Sequence, residues 1–486
     1  MNLDDIQNPS VIKNMSVKEL EALCEEIRRF LISSISRTGG HLASNLGVVE
    51  LTVALHYVFD SPNDKIFFDV GHQCYTHKIL TGRAGGFSAL RQYKGMSGFQ
   101  KRAESRHDVW EAGHSSTSLS AALGMAVARD LDGKDYAVVP VIGDGALSSG
   151  MALEALNHIG AEKRKLIIVF NDNNMSISRN VGALNHAFSR LRASNGYIRV
   201  KNNMKRNLRS SSVGEIVYTS LKAVKDSVKE ALINGGIFEE FGLDYIGPVD
   251  GHNLNDLIRV LTVAKASDGP IVVHVLTTKG KGYGPCEKDR EGVWHGVGPF
   301  DPKTGKSLHH TAPGMISWSR QVALAAKELA AKDERIIAIT PAMIYGSSLQ
   351  EFFAAYPERS FDVGIAEEHA ATFAASLALA GKRPLLFIYS SFLQRCYDQV
   401  NHDICRMNLP VTLCIDRAGL VGEDGDTHHG VFDIGILMPL PNLILSAPKD
   451  AEEACALLET ALGQTHPFAI VSPREKSGRQ REQRNR

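Results

Sequence analysis

The chain has no excess of charge of either sign: Lys plus Arg and Asp plus Glu number 54 each among 486 residues. Such a balance gives no global field for nucleic acid or an anionic membrane, so any phosphate recognition has to be local. Cysteine is sparse, with seven scattered residues (Cys24, Cys74, Cys286, Cys396, Cys405, Cys414, Cys455) and no Cys-x-x-Cys. That excludes a disulfide framework and a thiolate zinc site, and predicts mostly buried, small apolar thiols. Long apolar runs are missing too, and the opening Met1-Asn2-Leu3-Asp4-Asp5 is acidic without an apolar core. The sequence thus predicts no membrane span, no leader and a cytoplasmic protein. What is there is 43% hydrophobic and 22% charged, material for at least two large α/β domains.

Residues 16–60 read as helical, broken by a loop at Arg37-Thr38-Gly39-Gly40-His41. Strand-like runs follow at Ile66–Val70, Tyr136–Ile142, Leu166–Phe170 and Ile271–Leu276. With helical or loop stretches between them, they predict a mainly parallel sheet flanked by helices. The first domain is expected over 1–300 and a Pro/Gly/His-rich linker over 301–315. A second domain of the same class is expected over 316–474, with a helix from Ile316, strands at Ile336–Ile339 and Phe361–Ile365, a helix from Ala370, and strands at Leu385–Tyr389 and Val411–Ile415. Residues 201–212 are basic and polar but lack an aromatic stripe, so they read as a mobile surface segment rather than an RNA site. Residues 475–486 hold no apolar side chain and are predicted to be a disordered tail.

Two motifs carry chemistry. Gly143-Asp144-Gly145 and Asn171-Asp172-Asn173-Asn174 each directly follow a strand-like run, with one helix-sized segment between. A β-α-β unit gathers its ligand at the carboxyl ends of its strands, so Asp144 and Asn173 are brought to one edge. Two hard oxygen donors suit Mg2+, which takes few protein ligands and fills its shell with phosphate and water. Either motif alone would be an ordinary turn. Together, 29 positions apart, they form the diphosphate signature of thiamine-diphosphate enzymes.

From about Leu31 to Arg474 the chain resembles the 1-deoxy-D-xylulose-5-phosphate synthases, transketolase-like thiamine-diphosphate enzymes. The motifs are Gly47 to Val58, Asp69-Val70-Gly71-His72-Gln73, Gly113-His114-Ser115-Ser116, the pair above, and Ile365-Ala366-Glu367-Glu368-His369. The resemblance implies thiamine diphosphate and Mg2+ as cofactors, the metal being held by Asp144, Asn173 and the Met175 carbonyl. It gives the diphosphate to His72, Gly113, His114, Ser115, Gly145 and Ala146, and the aminopyrimidine to Glu367 and Phe392. Glu368 stands where the family usually has glutamine, and its extra charge is expected to raise the pKa of its neighbour. His41, His428 and His295 are implied at the reaction centre as proton carriers, near Ser44. Tyr389, Arg417, Asp424 and Arg474 are implied around a substrate phosphate, which arginine can grip with two hydrogen bonds. Trp294 replaces the usual phenylalanine beside His295. The implied reaction joins pyruvate to glyceraldehyde 3-phosphate in a homodimer, with no nucleic acid or membrane partner. The family usually continues into a third α/β domain. A related transketolase or carboligase with another acceptor, and a non-catalytic paralogue, are the alternatives.

Overall fold

The computed structural model describes residues 2–173, 181–193, 236–289, 291–308, 315–474 and 476–478. Met175, the basic 201–212 segment and most of the tail lie outside them. Two compact units emerge, Met1–Leu308 and His309–Arg486.

In the first unit, β1 (Lys65–Phe68), β2 (Val138–Gly143), β3 (Leu166–Asp172), β4 (Asp244–Asp250) and β5 (Pro270–Leu276) form one sheet in the order β1-β2-β3-β5-β4. Every pairing is parallel. Its helices include α1 (Val17–Thr38), α2 (Leu42–Gly47), α3 (Val49–Val58), α4 (Tyr75–Lys78), α5 (Ser118–Leu131), α6 (Asp144–Leu147), α7 (Gly150–Glu162), α8 (Ala183–Ala193) and α9 (Leu254–Lys265). Because strand side chains alternate, Ile167 and Val169 of β3 join a core with α1, α3 and α9, while Leu166, Ile168 and Phe170 join one with α5 and α7. A strand covered on both faces must be apolar throughout, and β3 is buried over its whole length. Strand β4 was not expected from the sequence. Its Gly247-Pro248 resembles a turn, but β4 is an edge strand, where a proline costs no ladder bond, and its register slips between Ile246 and Val249.

Helix α1 begins at a capping box, with Ser16 and Glu19 each bonding the other's backbone N–H. Behind α4 runs a buried polar chain: His56 Nε2 to His77 Nδ1 at 2.9 Å, His77 Nε2 to Asp108 at 2.8 Å, and Arg83 forked onto Asp108 at 2.7 and 2.8 Å. Burial holds both histidines below their usual pKa; against burial, hydrogen bonds from His77 and Arg83 hold the Asp108 carboxyl far below its own.

The second unit holds β6 (Met315–Ser317), β7 (Ile336–Thr340), β8 (Ser360–Asp362), β9 (Arg383–Tyr389), β10 (Thr412–Ala418), β11 (Ile444–Ser446), β12 (Phe468–Pro473) and β13 (Lys476–Gly478). Six form a parallel sheet in the order β11-β12-β10-β9-β7-β8. Its helices include α10 (Trp318–Ala330), α11 (Glu367–Leu379) and α12 (Ser390–Leu393).

Several boundaries differ from expectation. Ile316 lies in β6, and α10 starts at Trp318 because the Ser317 side chain caps it by accepting from Arg320 N–H. Lys476–Gly478, expected to be disordered, pairs antiparallel with β6, since main-chain hydrogen bonds need no apolar side chain. Residues as far as 308 stay on the first unit: Phe300 is buried, donates its N–H to the Ser36 carbonyl and packs on Trp294. Among the described residues no helix is long and apolar enough to cross a membrane.

Candidate active site

The carboxyl edge of the first sheet collects most of the expected residues. After β1 the chain turns through Val70 and Gly71, both at positive φ, to reach His72. The buried Asp69 carboxylate accepts from the N–H groups of Ser116 (2.7 Å) and Ser118 (3.1 Å), while Gly113 N–H donates to the Val70 carbonyl at 2.7 Å. Ser116 Oγ then donates to the Ala146 carbonyl at 2.8 Å. Asp69 thus draws the Gly113-His114-Ser115 loop against His72 on one side and Gly145-Ala146 on the other. Small residues and exposed amides gathered this way suit an anion.

Asp144, buried, opens α6 directly after β2, and the half-buried Asn173 follows β3. The register pairs Gly143 with Asn171, so both oxygen donors stand just beyond adjacent strand ends. Among the described residues no cluster of three or more His, Cys, Asp or Glu could hold a metal. A few hard protein oxygens completed by phosphate and water are the donor set Mg2+ accepts.

Two features here were not anticipated. Asp172 is tied to Arg192 of α8 (2.7 Å) and to His274 Nε2 (3.0 Å), whose Nδ1 meets Tyr245 OH at 2.6 Å. A buried brace therefore holds the end of β3, next to Asn173. Lys279 follows β5; burial lowers its pKa to about 8, opposed by the attraction of Asp144. Thr278-Lys279-Gly280 after a strand is the sequence signal that could have found it.

Three histidines form a cluster. The ring centroids of His41 and His72 lie 5.5 Å apart, His41 and His295 5.9 Å, and His72 and His295 5.0 Å. A two-way backbone bridge between Gly40 and Val297 brings the His295 segment to His41. Ser44 is half-buried on α2 in the turn after His41. Trp294 turns away into the core, edge-on to Tyr283 and Phe300.

In the second unit, Glu367 is the first residue of α11 and only 5% exposed. A helix N-terminus favours the carboxylate by about 0.3–1 kcal/mol at an exposed site. Burial outweighs it: the pKa is pushed up to about 7, against the attraction of Arg395 and with a smaller push from Glu368 in the expected direction. Glu367 Oε2 is buried with no hydrogen-bond partner among the described residues. Arg395 was missed, since nothing in Gln394-Arg395-Cys396 separates it from a surface arginine.

Tyr389 ends β9, and Phe392 on α12 stacks on it at 5.6 Å while meeting His428 edge-on at 5.7 Å. The Arg417 guanidinium lies 3.9 Å over the Tyr389 ring, and Arg417 has φ +60°, a conformation costly for a non-glycine residue. A Cβ at Gly346 would collide with the Tyr389 hydroxyl, so glycine there is what admits the ring. Burial raises the Tyr389 hydroxyl to about 12, with Arg417, Asp416, Arg474 and Asp424 all within electrostatic reach. Arg474 is exposed, and its guanidinium donates to the Val421 carbonyl (2.9 Å) and to Glu423 (2.8 Å).

A buried acid at a helix start in one parallel-sheet unit and a strand edge suited to an anion in the other fit a transketolase-like class of protein. The transketolase pyrimidine binding domain matches residues 314–479, and the 1-deoxy-D-xylulose-5-phosphate synthase family matches residues 3–277. The chain belongs to that synthase family. Relatives of that name from Geobacillus sp. (strain WCH70) and Listeria innocua are 56% and 54% identical, each over 98% of this chain and 75% of the relative. Among solved structures, transketolase from Campylobacter jejuni is 18% identical with a TM-score of 0.43, covering 96% of this chain and 80% of that one.

Proposed function

We propose that the chain condenses pyruvate with glyceraldehyde 3-phosphate, giving 1-deoxy-D-xylulose 5-phosphate and carbon dioxide, with thiamine diphosphate and Mg2+. The observation that carries the reading is Glu367, a buried carboxyl with an unused oxygen in a chain more than half identical to synthases of that name. When bound, thiamine diphosphate supplies the nucleophilic carbon and the electron sink for decarboxylation. Glu367, with a pKa near 7, is suited to hold or give a proton at the aminopyrimidine, and Phe392 to pack on that ring.

Asp144 and Asn173, with the Met175 carbonyl by resemblance, hold Mg2+, and the His72, Gly113-His114-Ser115 and Gly145-Ala146 edge holds the diphosphate. His41, His295 and His428 move protons, with Ser44 beside His41. Arg417, Tyr389, Asp424 and Arg474 receive the substrate phosphate, Arg474 after leaving Glu423. By resemblance the working form is a cytoplasmic homodimer serving isoprenoid-precursor and thiamine synthesis, without nucleic acid or membrane partners. Titration calorimetry tests the cofactor assignment: saturable thiamine diphosphate binding with Mg2+ that disappears in chelator is expected, and metal-independent binding would refute it.

A further inference from the structure

We infer that Asp416 is a positioning residue: its carboxyl holds the Arg417 backbone in the left-handed region and so sets the guanidinium over Tyr389, where a substrate phosphate is gripped. The strand supplies the reason. β10 stays in register with β9 as far as Asp416, which stands opposite Tyr389, but its pairing with β12 shifts between Ile415 and Ala418. Ile415 pairs with Val471 and Ala418 with Pro473, so Asp416 and Arg417 together face Ser472. A bulge of this kind re-aims the side chains of its strand. Here the Arg417 N–H donates to Asp416 Oδ1 at 2.8 Å, and Ser472 Oγ donates to the Ile415 carbonyl at 3.2 Å. Side chains thereby bond the backbone groups beside the interrupted ladder.

The bond to Arg417 has one direction. A backbone N–H can only donate, so Asp416 Oδ1 is the acceptor whether or not the carboxyl carries a proton. Asp416 is buried, and its other oxygen is 2.5 Å from Ser319 Oγ on the second residue of α10. With one oxygen anchored, the other is kept on the Arg417 N–H. A φ of +60° is a conformation that a non-glycine residue leaves when nothing holds it. Released, the backbone would return to negative φ and carry the guanidinium off the Tyr389 ring, which it now covers at 3.9 Å. On the far side a Cβ at Gly430 would lie 2.6 Å from the Arg417 carbonyl, so glycine there leaves room for the turned peptide.

The functional half of the inference rests on the reading of Arg417 as a phosphate ligand; the positional half does not. A crystal structure of the wild type reads the position, with Arg417 expected at positive φ and its N–H on Asp416. Negative φ, or a carboxyl turned away from that N–H, overturns the inference whatever the kinetics show. In holoenzyme kinetics Asp416→Ala should raise KM for glyceraldehyde 3-phosphate about three- to tenfold, the worth of one hydrogen bond, and leave kcat and KM for pyruvate within about twofold. Asp416→Asn keeps an accepting oxygen and should restore most of the loss. Asp416→Ala combined with Arg417→Ala should be no worse than Arg417→Ala alone, because the first change acts through the second residue. Additive losses, or the same loss with an unphosphorylated aldehyde, overturn the inference. If Asp416→Ala does not fold, Ser319→Ala, which frees the anchored oxygen, takes its place: a raised KM for the phosphorylated aldehyde that vanishes in the Arg417→Ala background supports the inference, and an unchanged KM overturns it. Arg417→Ala that treats phosphorylated and unphosphorylated aldehydes alike, with the wild-type geometry as described, would refute the phosphate reading instead.

Discussion

Replacing Glu367 by glutamine should change how stability depends on pH, in the apo protein and without any turnover. Burial holds the Glu367 carboxyl near 7 rather than at 4.5, so the folded chain keeps a proton there that the unfolded chain releases. Between those two values stability therefore falls as pH rises. The cost is absent below the lower value and complete above the upper one. Raising a carboxyl by that much corresponds to about 3 kcal/mol. Glutamine has a similar shape and no charge to bury, so the Glu367→Gln protein should gain on the wild type by roughly that amount between about pH 5 and about pH 8. Other acids shifted by burial, such as Asp362 and Asp416, are common to both proteins and cancel in the difference. For a unit of this size the gain corresponds to roughly 6–12 °C in Tm. Thermal unfolding followed by circular dichroism across that range is the assay. Parallel Tm curves for the two proteins would show that Glu367 does not bury a titrating acid, and the account of the pyrimidine site would lose its basis.

Asp144→Ala should abolish Mg2+-dependent binding of thiamine diphosphate, measured by calorimetry, because a diphosphate needs the metal's charge at this edge; unchanged affinity would remove the metal assignment. Arg417→Ala should cost roughly tenfold to a hundredfold in kcat/KM for the phosphorylated aldehyde, the worth of one charge-assisted hydrogen bond, and little for pyruvate. Equal losses with phosphorylated and unphosphorylated acceptors would mean that Arg417 does not grip the phosphate.

Most of the two sheets was legible because parallel strands buried on both faces read as unbroken apolar runs, as Leu166–Phe170 does. β4 was hidden by Gly247-Pro248, β6 and β11 by their three-residue length, and β13 by a composition that says nothing about backbone pairing, whereas β12 went unread although its Phe468–Val471 run is apolar throughout. The same division holds at the site. Asp144, Asn173 and Glu367 could be named because each sits in a short local pattern at a strand end or helix start. Asp172 acts through partners far away in sequence and Arg395 through a neighbour's charge, so no local pattern marks them. Arg474 shows the reverse limit: its position was readable, but its present engagement with Glu423 was not.

The central claim is tested most directly by incubating the holoenzyme with pyruvate, with and without glyceraldehyde 3-phosphate, while following carbon dioxide and the mass of the product. The account predicts carbon dioxide release matched by 1-deoxy-D-xylulose 5-phosphate when the phosphorylated aldehyde is present, and little release without it. Equal release in both arms, a product from another acceptor only, or no turnover from a chain that binds the cofactor would contradict it.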